Sequence, residues 1–235
     1  MSPLGLPRLH LRLTDSTNAR ARELADAGAP HGTLVTAEEQ SAGRGRQGRS
    51  WSAPAGSALL MSLVLRETGP LLPLAGGVAV CRAVGSQASV KWPNDVVVEQ
   101  PDGRLAKLAG ILVEGRPQDG WAVLGIGVNA AVDLASLPAE LAPGGPRPAA
   151  SLELAPDAIE PLLERLLIEL ERALGATDSE TVAALTSLDA LRGRHVEWAQ
   201  GDGTADGIDG DGRLIVRGPE GTRERLLAGE VRLRR

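Results

Sequence analysis

The sequence contains neither phenylalanine nor tyrosine, so four tryptophans are its only aromatic residues among 235. The core must therefore be built from Leu, Val, Ile and Ala, and surfaces that stack nucleic-acid bases on Phe or Tyr are disfavoured. The formal net charge is −5, from 25 basic and 30 acidic residues, so the chain lacks the overall positive charge of a nucleic-acid binder. We therefore predict no nucleic-acid partner.

Cysteine and histidine are also scarce. The single cysteine, Cys81, excludes an internal disulfide, and its apolar neighbours favour a buried thiol over a nucleophile. The three histidines lie far apart, without the short spacings of metal-binding motifs. No apolar stretch reaches about 18 residues, and prolines interrupt the N-terminal segment where a signal peptide would be apolar. The composition thus predicts a cytoplasmic protein with no membrane span.

Hydrophobic patterning predicts an α/β domain followed by a small β domain. Strands are expected at 9–13, 33–37, 58–65, 89–98 (with a central turn), 107–114 and 121–128, and helices at about 15–28, 71–84 and 156–174. Nine glycines between Gly193 and Gly229 separate short apolar segments, which is typical of a small barrel. We therefore predict domains at 1–189 and 190–235. The first is expected to be a mixed sheet with helices on one side.

The segment Gly43–Gly48 satisfies the dinucleotide-binding pattern G-x-G-x-x-G. That interpretation is disfavoured because such a loop must open a helix, and the residues after it have no helical period. The segment contains Arg44 and Arg46, and Arg49 directly follows it. The guanidinium groups of these arginines can close over an anion and donate forked hydrogen bonds to phosphate or carboxylate. A solvated basic loop is equally compatible with the charges alone.

Two further segments place polar groups at strand ends. Asn94 and Asp95 can cap a turn, or they can hold Mg²⁺ against a nucleotide phosphate. Lys107 begins an otherwise apolar strand, where it can extend into solvent or neutralise charge beside an acyl phosphate. From the residues alone, both alternatives stay open in each case.

The order of these segments along the chain resembles that of the biotin protein ligase family. The resemblance rests on five motifs: Asp-Ser-Thr-Asn at 15–18, the arginine segment at 40–51, Lys-Trp-Pro-Asn-Asp at 91–95, Lys-Leu-Ala-Gly-Ile at 107–111 and Gly-Ile-Gly-Val-Asn at 125–129. The segment 228–233 is similar to the end of that family's small barrel. The resemblance implies an α/β catalytic domain followed by an SH3-like β-barrel.

The resemblance also implies the reaction. An ATP-dependent ligase of this family joins biotin to the α-phosphate of Mg·ATP, which gives biotinyl-5′-adenylate and pyrophosphate. It then transfers biotin to a lysine of a biotin carboxyl carrier domain of an acyl-CoA carboxylase. Such chemistry needs positioning and charge neutralisation, and no nucleophilic side chain.

Roles for individual residues follow from the matching motifs. Arg46 and Lys107 resemble the catalytic residues. The residues that resemble the family's biotin-binding residues are Ser16, Thr17, Asn18, Gln40, Arg44, Gly45, Arg46, Lys107 and Gly110. The residues that resemble the family's ATP- and Mg²⁺-binding residues are Arg46, Arg49, Trp51, Asn94, Asp95, Lys107 and Asn129, with Asp95 as the Mg²⁺ ligand. For Ser16 and Thr17, a plain helix cap is the alternative.

Two sequence features refine these expectations. The first motif begins at Asp15, which leaves no room before it for a DNA-binding domain, so no repressor role is expected. The residues 99–103 lengthen the turn between Asp95 and Lys107, which predicts a longer hairpin. A monomer or weak homodimer is expected. The competing interpretations are a lipoate or octanoate ligase, a biotin-binding protein without transfer activity, and a repressor.

Overall fold

The computed structural model describes residues 3–66, 68–85, 87–116, 120–142, 144–219, 221–227, 229 and 231–233. These residues include four α-helices: α1 (Thr17–Asp26), α2 (Leu72–Val84), α3 (Ile159–Leu174) and α4 (Asp178–Leu188). Seven strands precede α3: β1 (Arg8–Thr14), β2 (Leu34–Gln40), β3 (Ala58–Arg66), β4 (Ala88–Lys91), β5 (Asp95–Glu99), β6 (Leu105–Arg116) and β7 (Trp121–Asn129). Five follow α4: β8 (His195–Trp198), β9 (Gly201–Ile208), β10 (Leu214–Arg217), β11 (Arg223–Leu226) and β12 (Arg232–Leu233).

The first seven strands form one sheet in the order β1-β2-β3-β7-β6-β5-β4. Strands β1 and β2 are parallel, and α1 supplies the crossover that a parallel pair requires. The other neighbouring strands of this sheet pair antiparallel. The predicted α/β domain with a mixed sheet is therefore confirmed.

Alternation along β3 gives the two faces of the sheet different coverings. Leu63 and the residues two positions away on either side pack into the main core with α2 and α3. Ser62 and Val64 point to the opposite face, where Ala21 and Ala25 of α1 pack closely because their side chains are small. Helices thus cover both faces, and the expectation of helices on one side was wrong.

The sequence pattern located three of the four helices. The leucine stripe predicted at 156–174 forms α3, preceded by a single 3-10 turn at 156–158. Helix α4 was not predicted, since only Thr181 and Leu185 of its residues are buried and no stripe results. A signal was nevertheless present: Thr177 and Glu180 form a reciprocal capping box.

The predicted buried thiol is confirmed. Cys81 lies in α2 and is 3% exposed, and burial raises its pKa to about 12. A neutral, inaccessible thiol at physiological pH is inert toward electrophiles.

None of the described helices has the length and the apolar character that crossing a membrane would require.

The C-terminal strands form a separate antiparallel sheet in the order β11-β10-β9-β8-β12. Among the described residues β11 does not pair with β12, so this sheet is open, and Ala228 and Glu230 of the predicted barrel end lie outside those residues. The sheet packs on the first one: Trp92 Nε1 donates to the Gly212 carbonyl at 2.9 Å. Arg194 contacts Glu99 at the base of the predicted long β5–β6 hairpin at 2.6 Å. The boundary near residue 190 stays a prediction.

Asp189, at the C-terminal end of α4, is expected to lower stability as the pH rises. Its Oδ1 accepts from the Leu191 amide at 2.9 Å, while its buried Oδ2 has no partner in the described part of the chain. Burial raises the pKa of this carboxyl. The native state therefore holds the proton more tightly than the unfolded chain, and the resulting stabilisation is lost as pH rises from the ordinary carboxyl pKa through the raised one.

We expect Asp189→Asn to flatten this decline. The measurement is the free energy of unfolding in urea, at intervals between about pH 4 and pH 8. Asp157→Asn is the control, because Asp157 is exposed at the start of a 3-10 turn. Identical pH profiles for wild type and Asp189→Asn would contradict the prediction.

Candidate active site

The arginine-rich segment between β2 and β3 folds as a small hairpin over β6 and β7. The Trp51 amide donates to the Gly43 carbonyl at 2.8 Å, and the Gly45 amide donates to the Arg49 carbonyl at 2.7 Å. At its tip a single 3-10 turn, 46–48, places Gln47 in the left-handed region with φ of 55°. The segment lies outside the long strands, as the sequence predicted, but it has its own hydrogen-bonded frame.

Trp51 anchors this hairpin to the sheet by lying on two glycines. A Cβ atom at Gly127 would lie 2.7 Å from Trp51 Cε2, and one at Gly110 would lie 3.1 Å from Cζ3. A side chain at Gly127 would displace the indole, and one at Gly110 would press against it. The Trp51 Nε1 atom is buried without a hydrogen-bond partner among the described residues.

The predicted catalytic cations lie on the same face. Lys107 Nζ is 2.6 Å from Asp95 Oδ1 and 5.5 Å from the centroid of the Trp51 ring. Arg46 donates to Asn94 Oδ1 at 3.0 Å, and Asn94 in turn donates to the Ile111 carbonyl at 2.9 Å. The turn after β4 therefore holds both cations in place through one amide and one carboxylate.

The predicted biotin-binding residues of α1 meet β2 and β3. Gln40 Oε1 accepts from the Thr17 amide at 2.8 Å and from its hydroxyl at 3.1 Å. Ser62 Oγ lies 2.8 Å from Thr17 Oγ1 and 2.6 Å from Asn18 Oδ1. Ser16 occupies the N-cap position of α1, yet its side chain makes no capping hydrogen bond. A plain cap therefore does not account for the Ser16 hydroxyl.

Glu114, near the end of β6, joins α1 to the arginine hairpin. Its Oε2 accepts from Asn18 Nδ2 at 2.8 Å, and its Oε1 accepts from Arg22 at 3.0 Å and lies 3.8 Å from Arg44. A cavity of about 520 Å³ opens here, lined by residues 44–49 together with Leu112 and Glu114. Glu114 therefore connects this cavity, which the arginine hairpin borders, to Asn18 of α1.

Asn129 and Arg49 were also predicted to bind the nucleotide. Asn129, at the end of β7, is buried and donates to the Ala150 carbonyl at 3.0 Å and to the Lys107 carbonyl at 3.3 Å. It thereby fixes the backbone that carries Lys107. Arg49 lines the cavity and continues the basic edge of the hairpin.

The charge environment at the start of α1 also favours an ionised carboxyl. The amide of Ser16 donates to Asp15 at 2.8 Å and, with Thr14 and Arg20, lowers the pKa of Asp15.

Among the described residues there is no cluster of three His, Cys, Asp or Glu side chains able to hold a metal ion by itself. Asp95 is the carboxylate beside the predicted catalytic cations.

Sequence reasoning missed three residues of this network: Ser62, Glu114 and Arg22. Ser62 was detectable, because it is the one polar residue of the otherwise apolar run 58–65. Glu114 ends an apolar run in the same way. Arg22 gave no signal, since a single arginine on a helix surface is ordinary.

Residues 10–130 match the Biotin/lipoate A/B protein ligase family, and residues 193–234 match the Biotin protein ligase C terminal domain. The chain belongs to the biotin/lipoate protein ligase family, and the C-terminal match is to its biotin-specific members. The resemblance found from the sequence motifs is therefore confirmed.

Individual relatives agree with this. The chain is 34% identical to the biotin–[acetyl-CoA-carboxylase] ligase of Paracoccus denitrificans, over 94% of this chain and 98% of that protein. It is 37% identical to the bifunctional ligase/repressor BirA of Bacillus spizizenii over 59% of this chain, and the match spans less than half (45%) of that relative. The solved biotin protein ligase from Aquifex aeolicus, in complex with biotin and ATP, is similar with a TM-score of 0.76 and 27% identity, over 97% of this chain and 98% of that one.

Proposed function

We propose that this chain is an ATP-dependent biotin protein ligase. In the first step a biotin carboxylate oxygen attacks the α-phosphorus of ATP, a new P–O bond forms, and pyrophosphate leaves. In the second step a lysine amine of a biotin carboxyl carrier domain attacks the acyl carbon, and AMP leaves. The observation that carries this proposal is that Asp95 and Asn94 hold Lys107 and Arg46. Arg46 lines the same cavity as Glu114, which in turn binds Asn18 of the α1 network.

Lys107 and Arg46 address the main barrier of the first step. A carboxylate and a phosphate are both anions, and their approach in a partly desolvated site is costly unless fixed cations offset the charge. Asp95 holds Lys107 where the anions are proposed to meet, so this cation needs little reorganisation. Asn94 keeps Arg46 on the same face until the hairpin closes over the anions. Trp51 shields the same region from water and offers a flat surface to the adenine.

The α1 network suits the biotin ring. Thr17, Asn18, Gln40 and Ser62 surround a buried polar region, and a ureido group offers a matching donor and acceptor set. Ser16 supplies a hydroxyl that no helix cap uses. At Gly110 the missing side chain lets the Trp51 ring and the Lys107 side chain lie close to the β6 backbone, and we propose that these two groups border the bound biotin.

Magnesium is proposed to enter with ATP. Mg²⁺ typically keeps several waters and binds through one or two carboxylates together with substrate phosphates. The single carboxylate of Asp95 fits that donor set, with Asn94 next to it. A bound Mg²⁺ would offset phosphate charge and help pyrophosphate to leave.

The proposal also covers the fold of the C-terminal sheet, the localisation, the oligomeric state and the partners. We expect the C-terminal sheet to correspond to an SH3-like barrel and the protein to be cytoplasmic. It is expected to be a monomer or weak homodimer, to bind no nucleic acid, and to modify the carrier domain of acyl-CoA carboxylases.

The test is Mg²⁺-dependent ATP–pyrophosphate exchange, measured separately with biotin, lipoate and octanoate. Exchange with biotin alone supports the proposal. Exchange with lipoate or octanoate keeps the reaction class and overturns the substrate. The absence of exchange with all three would favour a binding protein without transfer activity.

Ligand-dependent closure of the arginine hairpin is expected as well. Its arginines repel each other, and they alternate with four glycines or serines in residues 43–50: Gly43, Gly45, Gly48 and Ser50. Binding of anions relieves the repulsion, so we expect trypsin to cleave at Arg46 more slowly with biotin and Mg·ATP than without them. Equal cleavage rates in both conditions would contradict this.

A further inference from the structure

Glu114 is the one carboxylate among the described residues that lines the cavity beside the arginine hairpin. An acidic side chain is unfavourable next to a site that must receive two anions, unless its charge is used in the protein itself. Both oxygens of Glu114 have such partners: Oε2 accepts from Asn18 at 2.8 Å, and Oε1 accepts from Arg22 at 3.0 Å.

The bond to Asn18 decides which way the Asn18 amide faces. Ser62 Oγ can donate only one hydrogen, and its shorter distance, 2.6 Å, is to Asn18 Oδ1. The Nδ2 group must then find acceptors on the other side, where Glu114 lies at 2.8 Å and the Leu112 carbonyl at a weaker 3.4 Å. Ser62 and Glu114 thus act from opposite sides to fix one orientation of the amide.

Resting on the function proposed above, we propose that Glu114 is a positioning residue for biotin. It acts through Asn18: by accepting from Nδ2 it keeps the amide oriented toward Ser62, and so keeps the α1 network in the arrangement that recognises the biotin ring. The ion pair between Arg22 and the other oxygen of Glu114 offsets the charge of the carboxylate and does not orient the Asn18 amide.

The test is a double-mutant cycle on the KM for biotin, with kcat measured in the same exchange assay. Asn18→Ala and Glu114→Ala are each expected to raise the KM for biotin about tenfold while kcat changes less than about twofold. The double variant is expected to be no worse than the single ones, because Glu114 acts through Asn18. Additive effects in the double variant, or an unchanged KM in Glu114→Ala, would overturn the proposal.

Two further variants separate positioning from a merely structural ion pair. Glu114→Gln keeps one acceptor oxygen for Asn18 and is expected to stay within about threefold of the wild-type KM. Arg22→Ala removes the ion pair and keeps the Asn18 bond, so its KM for biotin is expected to be unchanged. An Arg22→Ala enzyme as impaired as Glu114→Ala would assign Glu114 a structural role only.

The outcomes also separate this proposal from the proposed function. A wild-type protein without biotin-dependent exchange overturns both. A wild-type protein with normal exchange, and a Glu114→Ala variant with a normal KM, overturns the positioning role alone.

Discussion

Replacing Lys107 by alanine is expected to lower biotin-dependent ATP–pyrophosphate exchange by about 10²–10³-fold. Its ammonium group is held 2.6 Å from Asp95 and faces the Trp51 ring, so it is fixed where the carboxylate and the α-phosphate are proposed to meet. The charge matters most in the transition state, when the two anions are closest. We therefore expect kcat to fall more than the KM for biotin rises.

The fold should survive this substitution. The Lys107 side chain is 40% exposed, and an ion pair with that much solvent contact contributes at most about 1 kcal/mol to stability. Arg172→Ala is a matched control, because it removes one positive charge from the exposed surface of α3, away from the proposed site. Turnover like that of wild type in a folded Lys107→Ala protein would refute the proposed role.

Replacing Gly125 by alanine is expected to raise the KM for biotin at least about tenfold. A Cβ atom at Gly125 would overlap Asn18 Oδ1 and would lie 2.7 Å from Asn18 Cγ. Asn18 cannot turn away without losing the bonds to Ser62 and Glu114, so the start of α1 must shift. Misplacement of groups that orient a substrate is costly even when the displacement is about 1 Å.

This substitution should also reduce the free energy of unfolding by about 1–3 kcal/mol, since overpacking strains the contact between α1 and β7. Gly210→Ala is the control: Gly210 lies in the turn between β9 and β10, and nothing lies within 4 Å of a Cβ atom there. The measurements are the KM for biotin and urea unfolding. Equal KM values for Gly125→Ala and Gly210→Ala would show that Asn18 does not have to be held where it is.

Much of the seven-stranded sheet and its helices was predictable because strong local patterns agree with their tertiary environment. The run 58–65 is apolar except for Ser62, so it had to be a buried strand, and the leucine stripe of α3 had to face a core. The placement of α1 on the opposite face was not predictable. It depends on Ala21 and Ala25 packing against Val64, and alanine spacing gives almost no amphipathic signal.

In the candidate site, too, some features were predictable from the sequence and others were not. Lys107, Asp95 and the arginine hairpin were recognisable as motifs, because charged and glycine-rich segments interrupt apolar strands. The contacts among them were not, because Lys107 lies 12 positions after Asp95 in the chain, and only the β5–β6 pairing brings the two within 2.6 Å. The C-terminal glycines likewise predicted short strands, while β9 and β11 emerged only from their pairing.

By itself the sequence determined the family, because the order of its five motifs resembles that of biotin protein ligases, and the proposed activation of a carboxylate follows from that resemblance. The tertiary structure decided which groups act together. Asn18, Ser62 and Glu114 come from a helix and two strands far apart in the chain, and they meet because β3, β7 and β6 are neighbours in the sheet. Hydrogen bonds of this kind depend on distance in space, which local residue patterns do not encode.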